Sequence, residues 1–236
     1  MLFPPRQPTL VHPILFHVGN IYLPTFGLLA AVGLLCALLL SERTAKLADI
    51  DPARLWNAGL FTVIAAFVFS RGLLVAQHWR SFREFPILLL AVPSLTASGL
   101  LLTLIATFLW LWLKQVPLRR ALDAWAPCAT LAWAFLALGH FTEGSDPGLR
   151  GRPVALYAAA LAALIAIASL AQLRRPRPSG ETAGLTLIAA GVGQFLLSFI
   201  RVPGVEFAGL DLLQCVALAM IVAGAVLVLT IPAILE

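Results

Sequence analysis

The sequence predicts an all-α protein, a polytopic bundle of about seven transmembrane helices. Three observations indicate this fold class. The mean hydropathy is +0.95 and only 11% of the 236 residues are charged, which is too apolar for a soluble globular domain. Residues 22–40 carry no charge over about the length needed to cross a hydrocarbon core, and similar stretches recur. The alternation of apolar and polar residues typical of membrane β-strands is not apparent.

Apolar runs between charged or proline-rich breaks define the predicted spans. They cover residues 20–41, 56–78, 87–113, 121–141, 153–173, 183–200 and 208–235. The third run is interrupted at 92–94 and 98–99, so two pieces joined by a bend fit as well as one tilted helix. No repeat of about 20–50 residues is apparent. We therefore expect residues 1–236 to form a single integral membrane domain.

The distribution of basic residues predicts the orientation in the membrane. The first, third and fifth connections hold nine Lys and Arg residues, whereas the N-terminus and the remaining connections hold six. By the positive-inside rule the richer loops are cytoplasmic, which places the N-terminus outside and the C-terminus inside. Prolines in the opening MLFPPRQPTLVHP stand where a signal peptide has its apolar core, so we expect the first span to be retained.

Several classes of function are disfavoured by the composition. The net charge of +5 comes from short clusters between spans rather than from one basic face, so we expect no nucleic-acid partner. The three cysteines, Cys36, Cys128 and Cys215, lie in apolar segments without metal-ligand spacing. We expect neither a metal site nor a cofactor.

The stretch LALGHFTEGSDPG, residues 136–148, gathers polar side chains at the predicted outer end of the fourth span. Polar loops are common at membrane surfaces, and that accounts for any one of these residues. The segments that reach the same face, however, also carry His12, His17, Arg71, His78, Arg201 and Glu206. Because Glu143 follows His140 by three residues, it could hold the imidazole in one tautomer as a proton acceptor. His140 and Glu143 are therefore candidate catalytic residues.

Arg71 lies inside the second span, toward its outer end. An arginine at this depth is costly unless it snorkels, finds a partner or faces a polar cavity. A guanidinium offers two parallel donors to a phosphate, which makes Arg71 a candidate phosphate ligand.

Other polar residues in the spans could have either a structural or a functional role. Gln194, Ser198 and Arg201 share one helical face, which either joins helices or lines a cavity. Tyr157 fits an interfacial aromatic anchor. Asp123 is expected to pair with the neighbouring Arg119 or Arg120 at the cytoplasmic interface.

The order of these segments resembles the prolipoprotein diacylglyceryl transferase family over most of the chain. FSRGLLVAQHW at 69–79 is similar to the family's Gly-Gly-Arg-Leu-Gly-Tyr segment, with Arg71 at the arginine, and LTASGLLL at 95–102 stands at Ser-Phe-His-Gly-Gly-Leu-Leu. The stretch at 136–148 stands at the signature Gly-Arg-Ile-Gly-Asn-Phe-x-Asn-Gly-Glu. GRPVALYAA at 151–159 resembles Arg-His-Pro-x-Gln-Leu-Tyr-Glu, and QFLLSFIR at 194–201 resembles Arg-Phe-x-x-Glu-Phe-x-Arg. The opening HPILFHVGNIYLPTFGLLAAVG at 12–33 is similar to the family's strand-like start.

The resemblance implies a multi-pass enzyme of the bacterial inner membrane. Members transfer diacylglycerol from phosphatidylglycerol to the thiol of a lipobox cysteine in a prolipoprotein signal peptide, and release glycerol phosphate. It implies that Arg71 and Arg201 bind the lipid phosphate, that His140 accepts the thiol proton and that Glu143 orients His140. Further motif positions are expected to line the cavity: Ser98, Gly99, Gly139, Gly144, Tyr157, Gln194 and Ser198.

Several family side chains are replaced here. Ala137 stands at the signature arginine, Ala97 at the motif histidine, Gln194 and Ser198 at the later arginine and glutamate, and Phe26 at the first-span tyrosine. Two other functions therefore stay open. One is a catalytically inactive relative that binds lipid or signal peptide, and the other is a small membrane transporter, which would instead spread polar residues through the membrane depth.

Overall fold

The computed structural model describes residues 14–18, 21–84, 96–146, 148–202, 206–207 and 210–231. Six helices in this part of the chain are long and apolar enough to cross a membrane, which confirms the predicted all-α membrane bundle. In chain order the elements are β1 (Ile14–Val18), β2 (Ile21–Pro24), α1 (Thr25–Leu47), α2 (Pro52–Gln77), α3 (Trp79–Glu84), α4 (Ala97–Leu113), α5 (Leu118–Glu143), a 3₁₀ turn (Leu149–Gly151), α6 (Val154–Leu173), α7 (Glu181–Ser198), β3 (Glu206–Phe207), β4 (Leu210–Asp211) and α8 (Leu212–Leu229).

Two predicted boundaries differ from the structure. The first span begins at Thr25 rather than at residue 20, because the chain up to Pro24 pairs with β1 in an antiparallel hairpin. The third span appears as the 17-residue helix α4, and its predicted start at 87–95, with the interruption at 92–94, lies outside the described residues.

Close helix contacts depend on small residues, as expected where lipid removes most of the hydrophobic drive between helices. A Cβ atom on Gly33 of α1 would lie 2.5 Å from the Cβ of Phe135 in α5. On α7, a Cβ at Gly184 would lie 2.9 Å from the carbonyl oxygen of Gly224 in α8. Further along, Gly139 of α5 faces Phe26 of α1, and Gly191 of α7 faces Ala217 of α8. Because the partner's number falls as the residue number rises, both helix pairs are antiparallel.

The antiparallel pairing gives the bundle two chemically different ends. One end, here called the His140 end, contains the first residues of α1, α4, α6 and α8 together with the last residues of α2, α5 and α7. The opposite end is called the Asp123 end. The membrane orientation predicted above makes the His140 end the outer one.

Asp123 lies near the start of α5 and does not form the expected pair with Arg119 or Arg120. Its two carboxylate oxygens accept hydrogen bonds from the backbone amides of Gly180, at 2.6 Å, and Ala183, at 2.7 Å. Gly180 has φ of +99°, so the chain turns there into α7 without a side-chain cap of its own. The carboxylate therefore caps a neighbouring helix, and a negative charge is favoured at that N-terminus.

The arginines next to Asp123 have other partners. Arg120 pairs with Asp49 at 2.9 Å, and Arg119 donates to the carbonyl oxygen of Thr230 at 3.0 Å. The predicted ion pair between Asp123 and Arg119 or Arg120 was wrong. The sequence shows which charges are neighbours along the chain, but not that the N-terminus of α7 lies next to Asp123.

Candidate functional site

A cavity of about 240 Å³ lies at the His140 end, between α5, α6 and α7. Its polar lining comes from His140, Asp146, Gln194 and Arg201. The apolar wall consists of Trp133, Leu136, Ala137, Ala155 and Ala158. The volume lies below the roughly 300–1,000 Å³ usual for pockets that enclose a drug-sized ligand. It suits a small polar group rather than a whole lipid.

The end of α5 creates one wall of the cavity. Gly144 has φ of +65°, a left-handed conformation that costs glycine little and ends the helix. The chain then turns back on the helix, and the backbone amide of Ser145 donates to the carbonyl oxygen of His140 at 3.2 Å. This turn brings Asp146 to the cavity lined by His140, six residues earlier.

Arg201 is fixed by its backbone and by its side chain. Gly148 and Arg201 form an isolated antiparallel bridge, and the amide of Leu149 donates to the carbonyl oxygen of Ile200 at 2.8 Å. The guanidinium donates to the carboxylate of Asp146, and the two side chains are 17% and 19% exposed. Nε of Arg201 is buried and has no hydrogen-bond partner among the described residues. Nε of Arg201 is therefore still available to donate to a ligand.

His140 differs from its predicted arrangement. Its ring lies 4.9 Å from the ring of Phe26, centroid to centroid, and its Nδ1 lies 2.9 Å from Oγ of Ser145. Within the described residues, no hydrogen bond joins Glu143 to His140. The predicted pairing with Glu143 was wrong, because α5 ends at that residue and the following turn brings Ser145 to the imidazole instead.

Gln194 and Ser198 share a face of α7, as predicted, but they have different surroundings. Gln194 lines the cavity, and its Oε1 is buried without a hydrogen-bond partner in the described part of the chain. Ser198 is buried, donates to the carbonyl oxygen of Phe195 at 2.6 Å and accepts from Nε2 of Gln214 at 3.0 Å. Gln194 is thus available to a ligand, whereas Ser198 joins α7 to α8.

Arg71 lies at the same end of the bundle but is not among the described residues that line this cavity. Its Nη1 is buried and unpartnered within the described residues, as is Oγ of the preceding Ser70. A Cβ on Gly99 would lie 2.6 Å from Cα of Ser70, so α2 and α4 touch here through their backbones. The structure therefore brings His140 and Arg201 together, while Arg71 lies on α2 next to Ser70, which forms the contact with α4.

The remaining predicted cavity positions lie in three environments. Ser98 is exposed, and Tyr157 is 44% exposed on α6. Gly139 is buried, and a Cβ there would lie 2.7 Å from the ring of Phe26. Gly144 acts as the C-cap described above. None of these four is among the described residues that line the cavity.

Sequence reasoning did not assign roles to Asp146 and Ser145. Both lie in the stretch 136–148, and both bond side chains that the sequence did single out. The available signal was a carboxylate and an arginine in different loops of the same predicted face. The φ of Gly144, which decides which loop residue reaches which partner, is not visible in that pattern.

Fold and site together define a class: a multi-pass membrane protein with a small, arginine-containing polar cavity at one end of its helix bundle. The sequence profile of the family described as prolipoprotein diacylglyceryl transferase matches residues 13–230. The chain therefore belongs to the prolipoprotein diacylglyceryl transferase family, as the motifs predicted.

Individual relatives carry the same name. The chain is 26% identical to the phosphatidylglycerol–prolipoprotein diacylglyceryl transferase of Idiomarina loihiensis, over 92% of each chain. It is 29% identical to the enzyme of that name from Synechococcus elongatus over 55% of this chain and 46% of the relative. It is 32% identical to the enzyme of that name from Haemophilus influenzae over 65% of this chain and 54% of the relative. In the Synechococcus comparison, the chain thus spans about half the length of the relative.

Proposed function

We propose that this protein transfers diacylglycerol from phosphatidylglycerol to the thiol of a lipobox cysteine in a prolipoprotein signal peptide. The proposal places it in the bacterial inner membrane as one domain, with the N-terminus outside and the C-terminus in the cytoplasm. Family membership and the names of the relatives support the reaction. The observation that carries it to particular residues is the cavity in which Arg201 and His140 meet.

The cavity suits a phosphate group. Nε of Arg201 is a buried donor without a described partner and can bind a phosphate oxygen, whereas Oε1 of Gln194 is a buried acceptor that can bind a hydroxyl of the glycerol head group. A volume of about 240 Å³ admits a head group, while the acyl chains need no pocket because they lie in the surrounding bilayer. Arg201 is the proposed phosphate ligand. Arg71, on α2, does not line this cavity, so its proposed contact with a lipid phosphate lies elsewhere at the same end of the bundle and is supported by its buried Nη1, which has no described partner.

The reaction needs a proton acceptor for the thiol and a cation for the leaving group. His140 takes the proton, and the thiolate sulfur forms a bond to the terminal glyceryl carbon of the diacylglycerol unit. The bond between that carbon and the phosphate oxygen breaks, and glycerol phosphate leaves with the electron pair. Arg201 stabilises the charge that grows on the phosphate, and donors of this kind typically contribute several kcal/mol to a barrier.

The test is a lipidation assay with the full-length protein. Purified protein in phosphatidylglycerol vesicles receives a lipobox peptide, and the mass of the peptide is measured. A gain equal to one diacylglyceryl group is expected, and a peptide with serine in place of the lipobox cysteine serves as the control. Expression in cells depleted of their own transferase gives the same test in vivo. Absence of product in both would contradict the transferase function.

Two features of the cavity favour the alternative that this protein binds lipid without catalysing the transfer. Ala137 lines the cavity at the position of the family's signature arginine, and Asp146 already occupies Arg201. This alternative predicts that phosphatidylglycerol co-purifies with the protein although no peptide product forms. Product formation above the serine-peptide control excludes it.

A further inference from the structure

At the end of α5, Ser145 contacts both the side chain and the backbone carbonyl of His140. Nδ1 of His140 lies 2.9 Å from Oγ of Ser145, and the same Oγ lies 3.4 Å from the carbonyl oxygen of His140, to which it donates. The backbone amide of Ser145 also donates to that carbonyl, at 3.2 Å. Side chain and backbone thus both hold the serine against the histidine.

The two possible directions of the Nδ1–Oγ hydrogen bond are not equivalent. If Nδ1 carries the proton, it donates to Oγ while the hydroxyl proton goes to the carbonyl, and two hydrogen bonds form. If the hydroxyl donates to Nδ1, its only proton is used and the contact with the carbonyl is lost. The extra hydrogen bond is long and lies between exposed groups, so it favours the first arrangement by only about two- to threefold.

We propose that Ser145 is a positioning residue that holds neutral His140 with Nδ1 protonated and Nε2 free to accept a proton at the cavity. This inference rests on the proposed function for its chemical meaning, because only an unprotonated Nε2 can remove the thiol proton. The ring also contacts Phe26, at a centroid distance of 4.9 Å. Glu143 and Asp146 do not compete for Nδ1, since Asp146 pairs with Arg201 and no hydrogen bond from Glu143 reaches the ring within the described residues.

The tautomer can be measured without any turnover. The full-length protein is prepared in detergent with ¹⁵N-labelled histidine, at a pH at which the imidazole is neutral, and its signals are assigned to His140 by comparison with His140→Asn. The spectrum distinguishes a protonated ring nitrogen from an unprotonated one. We expect a protonated Nδ1 and an unprotonated Nε2. In Ser145→Ala the ratio of this tautomer to the other should fall about two- to threefold, and Ser145→Thr should restore it.

Thr142→Ala provides a matched control. Thr142 lies two residues after His140, and its hydroxyl donates to the carbonyl oxygen of Gly139 at 2.8 Å rather than to the ring. Its removal should leave the His140 signals unchanged. A protonated Nε2 in the unaltered protein, or an unchanged tautomer in Ser145→Ala, would overturn the inference. A change in Glu143→Gln but not in Ser145→Ala would return the role to Glu143.

The lipidation assay separates this inference from the proposed function. Ser145→Ala should lower kcat by no more than about twofold with little change in KM, because the active tautomer remains well populated, and this is far less than the roughly 10²–10⁴-fold loss on removing a general base. Ser145→Thr should recover most of the rate. If the tautomer is as proposed but no variant and no parent forms product, the transferase function fails and the positioning role stands. If product forms while Nε2 of neutral His140 is protonated, the transferase function stands and the positioning role of Ser145 is wrong.

Discussion

The two ends of the bundle both contain carboxylates and arginines, but they differ in how their buried polar atoms are satisfied. At the Asp123 end, the carboxylate is 5% exposed and both of its oxygens accept backbone amides. At the His140 end, Nε of Arg201 and Oε1 of Gln194 lack partners among the described residues. Of the five buried side-chain atoms without a partner in the described chain, four belong to the His140 end.

This difference separates structural polar groups from candidate binding groups. A buried polar atom without a partner costs free energy, so folding alone favours the arrangement of Asp123. At the His140 end, several buried polar atoms lack a described partner, and each destabilises the folded protein. A ligand that supplies the missing partners is the simplest reason for such an arrangement, and the residues at the two ends should therefore respond differently to substitution.

The largest effect is expected for Arg201→Ala. It leaves the carboxylate of Asp146 partly buried without its cation, which should lower the free energy of unfolding by about 3 kcal/mol. It also removes the proposed phosphate ligand, so the lipidation rate should fall by about 10²–10³-fold. Thermal unfolding in detergent and the vesicle assay measure the two effects.

Arg120→Ala at the Asp123 end is the matched control for Arg201→Ala. Arg120 also pairs with an aspartate, but its side chain is 46% exposed and that of Asp49 is 93% exposed. Exposed pairs contribute about 0–1 kcal/mol, so stability and rate should hardly change. Equal losses in both variants would remove the distinction between the two ends.

The α2–α4 contact gives a second test, which concerns packing near Arg71. In Gly99→Ala the new Cβ would lie 2.6 Å from Cα and 2.8 Å from N of Ser70, and backbone atoms cannot move aside as a flexible side chain can. The helices must separate, at a cost of about 2–3 kcal/mol. Gly72→Ala is the control, because nothing lies within 4 Å of its Cβ and alanine favours a helix by about 0.5–1 kcal/mol. A stable Gly99→Ala variant would show that the contact is looser than described.

Asp123→Asn tests the satisfied end. Asparagine has one carbonyl oxygen for two backbone donors, so one amide of the α7 N-terminus loses its partner and the favourable negative charge is lost. The free energy of unfolding should fall by about 1–2 kcal/mol. The lipidation rate per folded molecule should stay unchanged, because Asp123 lies at the end opposite the cavity. A rate loss greater than the loss of folded protein would contradict the structural role.

The sequence was sufficient to predict the bundle because the bilayer imposes a simple rule on helix length and charge. Helix α6, observed at Val154–Leu173, differs by one residue from the predicted 153–173. The predicted start of α1 at residue 20 was less accurate, since apolar strand residues of the hairpin satisfy the same hydropathy criterion as a membrane helix.

The candidate site was predictable in part of its membership but not in its pairing. Most other predicted positions, Arg71 and Tyr157 among them, are not among the described residues that line the cavity, and Asp146, which does line it, was not predicted. His140, Gln194 and Arg201 stood out because polar groups are expensive in a membrane, and all three line one cavity. Their partners depend on contacts between loops that are 55 residues apart in the case of Asp146 and Arg201, and on one glycine conformation in the case of Ser145. Helical spacing favoured Glu143 for His140, but the helix ends at that residue.

The smallest and most informative effect is expected for Asp146→Asn. The carboxylate occupies one donor of Arg201 and places a negative charge where an anionic head group is proposed to bind, and like charges in such proximity disfavour binding. The amide can still accept a hydrogen bond from the guanidinium but carries no charge. KM for phosphatidylglycerol should therefore fall by about three- to tenfold. Removing the negative charge stabilises the bound lipid and the transition state by the same amount, so kcat should change little. Vesicles in which phosphatidylcholine dilutes phosphatidylglycerol allow KM to be measured. A higher KM would instead mean that Asp146 orients Arg201 for the lipid, so that the ion pair belongs to the binding-competent arrangement rather than competing with it.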